Sequence, residues 1–60
     1  MVLLERGTKL NRPVEVWLLD SENEINLLPK TTSIGSLILI PSDDGLIIKI
    51  KNNKGYWKEL

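Results

Sequence analysis

The sequence predicts a small all-β domain, and three observations carry that prediction. The chain has no alanine and no glutamine, while Val, Ile and Thr supply 13 of its 60 residues. Two good helix formers are therefore missing, and the side chains with branched β-carbons that pack well on a pleated surface are abundant. Four scattered glycines and three prolines cut the chain into pieces of strand length. Within those pieces no apolar stripe at i, i+3, i+4 and i+7 survives without meeting Pro or Gly, apart from weak matches over 14–28 that also read as two strands and a turn.

The elements follow from this punctuation. Residues 2–6 form a first strand, stopped by Gly7, and Pro13 closes the next connector, its missing N–H suiting a strand start or an edge. Residues 14–19 form a strand with Val14, Val16 and Leu18 on one face and Glu15, Trp17 and Leu19 on the other. A polar turn over 20–24 leads into a returning strand, 25–28, and 29–33 connects to the second half. There, 36–40 is a strand and 41–45 a turn in which Gly45 tolerates positive φ. A return strand spans 46–51, Asn52-Asn53-Lys54-Gly55 turns again, and 56–60 closes the chain. The economical topology is one domain over residues 1–60, an antiparallel meander of five or six strands.

The apolar residues do not fit a sheet with one wet face. Leu37 and Leu39 point one way and Ile38 and Ile40 the other, and Trp17 with Leu19 doubles the apolar character of its strand. Folding hides only about 60% of the surface of so short a chain, so the extra face calls for either closure into a small barrel or oligomerisation. The expected contact residues are Trp17, Leu19, Ile38, Ile40 and Trp57. Parity alone leaves the opposite choice open, in which Leu37, Leu39, Leu46, Ile48 and Ile50 make the contact.

Composition narrows the chemistry. With no Cys and no His, disulfides, the usual zinc sites and Ser-His-Asp or Cys-His catalysis within one chain are excluded. The carboxylates that could work as an acid–base pair, Asp20, Glu22, Glu24, Asp43 and Asp44, all fall in turns, where exposed carboxylates are ordinary. Residues 20–24 space three carboxylates two apart, but a calcium loop of the EF-hand type needs Gly at its sixth position and Glu at its twelfth, and Ile25 and Thr31 stand there. No cofactor, metal, small-molecule substrate or enzymatic activity is expected. The longest apolar run, 37–40, is far too short to span a bilayer as a helix, and the N-terminus lacks a signal-peptide pattern.

Eight positive and eight negative charges cancel, which disfavours a dedicated binder of polyanions. Lys49, Lys51, Tyr56 and Lys58 nonetheless place cations beside an aromatic, and Trp57 adjoins them. An SH3-like five-stranded barrel acting as a regulatory module, binding protein or nucleic acid there, is the alternative reading. The competing explanation is that lysines form the wet side of a strand and guard an edge.

From Leu28 onward the elements come in this order: Leu28-Pro29, Gly35-Ser36, an apolar strand over 37–40, Ser42-Asp43-Asp44, a second strand over 46–50, Asn53-Lys54-Gly55, and a closing Tyr56-Trp57-Lys58-Glu59-Leu60. This half of the chain resembles short β-rich bacteriophage virion proteins and the repeat modules of head and tail fibres. It departs from them in having only Leu and Ile where the family often carries Tyr in the strand after the first turn. The resemblance implies a non-enzymatic virion component that assembles with copies of itself or with larger phage structural proteins. Its expected location is the virion, or the cytoplasm if the resemblance fails.

Overall fold

Five strands lie side by side in sequence order: β1 (Val2–Lys9), β2 (Arg12–Leu18), β3 (Leu37–Ser42), β4 (Gly45–Lys51) and β5 (Trp57–Glu59). The computed structural model describes residues 1–9, 12–29 and 32–60. The connectors expected before Pro13 and over 29–33 include residues 10, 11, 30 and 31, which lie outside the described part. The chain is all-β, as its composition predicts.

One pairing departs from the expected meander. β1–β2, β3–β4 and β4–β5 are antiparallel, but β2 and β3 run parallel through Val16–Leu37, Trp17–Ile38 and Leu18–Leu39, so the sheet is mixed. The cause is the segment expected as a returning strand over 25–28. It belongs instead to a short 3-10 helix, Glu22–Leu27, followed by Leu28 in extended conformation. A 3-10 turn places residues i and i+3 above one another, which sends Ile25 and Leu28 to the same side; a strand would have separated them. Residues 19–36 therefore form a crossover rather than a hairpin, as a parallel pair requires.

Smaller corrections concern strand ends. Gly7 does not stop β1: its backbone stays out of the left-handed region and pairs with Val14 within the ladder. β1 instead carries a bulge at Leu4, the extra residue between the Leu3–Trp17 and Glu5–Val16 pairs. Pro41 and Ser42 pair with Leu46 and Gly45, leaving a two-residue tip of Asp43 and Asp44, and Gly45 has the expected positive φ of 128°. The Asn52–Gly55 turn is held by Asn52, whose Oδ1 accepts the N–H groups of Lys54 and Tyr56 at 3.0 Å each.

The sheet does not close. β1 and β5 are its two edges, so the barrel solution to the surplus apolar face is not the one adopted. The described part of the crossover that packs into the core lies on one face. Leu28 and Ile25 pack there on Leu19, Ile38 and Ile40, with Trp17, Ile47 and Trp57 around them. Ser36, fully buried, pins the start of β3 to β2: its Oγ accepts the Glu15 N–H at 3.1 Å.

Candidate functional site

The five residues that the sequence singles out for contact do share a face, and it is the covered one. Leu19 and Ile38 are fully buried and Ile40 is 2% exposed, with Trp17 and Trp57 partly buried beside them. These side chains form the intramolecular core and are enclosed by the crossover. The opposite parity is the one left open.

That open face can be built row by row from the ladder register, because residues paired across adjacent strands project to the same side. One row runs Val2, Leu18, Leu39, Ile48 and Leu60; the Leu60 N–H donates to the Ile48 carbonyl at 2.9 Å, which extends β5 by a residue. All five are aliphatic and together they cross the whole sheet. The next row runs Glu5, Val16, Leu37, Ile50 and Lys58, three aliphatic residues with opposite charges at its two ends. Val14 continues the face beyond the second row, and Leu46 beyond the first.

The central members, Leu18, Leu37, Leu39, Ile48 and Ile50, are half-buried by their neighbours in the sheet, while Val2, Leu46 and Leu60 are exposed. The accessible surface of the chain, 4517 Å², exceeds the about 4,000 Å² of a typical folded monomer of this mass. An antiparallel-rich sheet normally turns polar residues outward on a bare face; here Glu5 and Lys58 are the only charged members of the two rows.

Sequence reasoning had Leu37, Leu39, Leu46, Ile48 and Ile50 as the second choice of contact surface and missed Val2, Leu18 and Leu60. The missing signal was register. Leu60 joins the surface because Lys49 pairs with Glu59, and Val2 joins it because the bulge at Leu4 resets the parity of β1.

The basic set does not converge. Lys49 and Lys51 project to the covered face, since they flank Ile50, whereas Lys58 pairs with Ile50 and projects to the open one. Lys49 lies 3.7 Å from a Glu22 carboxylate oxygen, and the Lys51 ammonium sits 5.7 Å from the centroid of the Trp57 ring. Tyr56 is exposed, outside β5.

The carboxylates of the 20–24 segment make local contacts. The Asp20 N–H donates to Glu24 at 2.6 Å, and the N-terminal ammonium lies 3.6 Å from Glu24 and 3.7 Å from Asp20. On the crossover side of the sheet, Glu15 receives both the Arg6 guanidinium at 2.9 Å and the Trp17 indole N–H at 3.0 Å. Among the described residues there is no cluster of three or more potential metal ligands, and no helix long and apolar enough to cross a membrane.

The chain matches no protein-family model, no curated protein and no solved structure.

Proposed function

We propose that this protein is a non-enzymatic structural component that works by assembly through the open face of its sheet. The observation that carries the reading is the unbroken aliphatic row Val2, Leu18, Leu39, Ile48 and Leu60. Contiguous exposed apolar surface of this extent marks sites where another protein docks. The resemblance of the Leu28–Leu60 half to β-rich bacteriophage virion proteins supports a narrower version, in which the partners are copies of the chain or larger phage structural proteins and the assembly belongs to a virion.

The test is mass in solution by light scattering over a wide concentration range, combined with titration of the dye ANS, which reports exposed apolar surface. A multimer, or a folded monomer that binds ANS, is the expected result. A folded monomer at every concentration that binds no ANS overturns the proposal.

A further inference from the structure

We infer that the occupant of the open face is a second copy of this chain, packed face to face about a two-fold axis that runs along the strands, with Glu5 of each copy against Lys58 of the other. The inference rests on the assembly reading above and adds the partner and its geometry.

The argument starts from the charges. Glu5 and Lys58 stand at opposite ends of one row, on β1 and β5, the two edges of the sheet. Four strand spacings of about 4.8 Å put them about 19 Å apart, with only Val16, Leu37 and Ile50 between them. A two-fold axis along the strands, passing over β3, exchanges the two edges. It lays β1 of one copy over β5 of the other while each row meets its own counterpart. Glu5 then meets Lys58 twice, and the aliphatic row packs on itself. Packed sheets lie about 10 Å apart, a gap that an extended Glu and an extended Lys reaching from opposite sides can bridge. The other in-plane axis, across the strands, lays each edge over itself and gathers the two Glu5 side chains at one edge and the two Lys58 side chains at the other. Charge therefore selects the first axis and disfavours the second.

Size agrees with a second copy. Two rows that cross all five strands and a partial row on either side of them give a face of roughly 500 Å² per copy, or about 1,000 Å² for the pair, the least that a specific interface needs. The contact is isologous and closes at two copies, as a two-fold interface must. Its sheets would align within about 30°, the usual angle of a β-sandwich. Neither rim residue has a part in the core, so both can be changed without touching it.

The experiment is a charge swap read by sedimentation equilibrium, with circular dichroism to verify the fold. Glu5→Lys and Lys58→Glu are each expected to weaken the dimer about tenfold, since each turns two rim attractions into repulsions. The double variant, with both swaps, is expected to return to within about threefold of the wild type, and the differences should shrink in high salt. A dimer indifferent to both single swaps, or an open-ended polymer, overturns the two-fold geometry and leaves assembly standing. A folded monomer at all concentrations overturns the second copy as occupant; the assembly proposal then stands or falls on whether that monomer binds ANS.

Discussion

Ile38 and Leu39 are consecutive residues of β3 with opposite fates, and truncating each to alanine separates the two faces energetically. Ile38 is fully buried at the centre of the core. Ile38→Ala removes three carbons, about 2.4 kcal/mol of transfer free energy at about 0.8 per carbon. The cavity left under Leu28 raises the loss to about 3–4 kcal/mol. A 60-residue core of this kind supplies about 3–5 kcal/mol in all, so the variant is expected to sit near its unfolding midpoint in plain buffer. Leu39 lies on the open face, where solvent already reaches it and no closed cavity forms. In dilute monomer Leu39→Ala should cost about 1 kcal/mol. At high concentration, with a second copy on that face, its cost should climb toward that of Ile38→Ala. Urea unfolding followed by Trp fluorescence at low and high protein concentration measures both, because Trp17 and Trp57 flank the core. Equal losses for the two variants in dilute solution would refute the assignment of faces.

Two further substitutions probe the backbone. Ser36→Ala deprives the Glu15 N–H of its acceptor beside a fully buried position; it should cost about 1–3 kcal/mol, read as a lower urea midpoint together with faster hydrogen exchange at the Glu15 amide. Gly55→Ala meets no atom within 4 Å, but φ is +86° there, so about 1–2 kcal/mol should be lost to the left-handed conformation alone. Gly7→Ala is equally free of contacts and has no such φ, and it should raise the thermal midpoint slightly by restricting the unfolded chain.

The second half of the molecule was legible because its signals agree with one another. The turn residues at 41–45 and 52–55 flank alternating segments, and local chemistry suffices to fix the β3–β4–β5 arrangement. Residues 25–28 misled for a physical reason. Ile-Asn-Leu-Leu is apolar enough for a strand, and only the i, i+3 spacing of Ile25 and Leu28 hints at the 3-10 turn that puts both on the core while Leu27 remains exposed. The choice between faces was illegible for a related reason. β3 is aliphatic at both parities, and what distinguishes them is the crossover lying over Ile38, a tertiary contact that the residues of the strand do not themselves encode. The site residues on β1 were hidden by the bulge at Leu4, which shifts parity without leaving a mark in the composition.

The parallel seam between β2 and β3 also orders events in time. β1 with β2, β3 with β4 and β4 with β5 are antiparallel pairs of strands close together in the sequence, and hairpins form within about 1–10 μs. The seam must instead bring Val16 to Leu37 across a crossover of about twenty residues, at the larger entropic cost of a longer loop. The packing of Leu28 on Ile38 is therefore the contact expected to form after the local pairings. Until that step both sides of β3 are bare and aliphatic. A chain in that state is most open to pairing with the wrong neighbour, and only the closed crossover leaves β3 with a single bare apolar side.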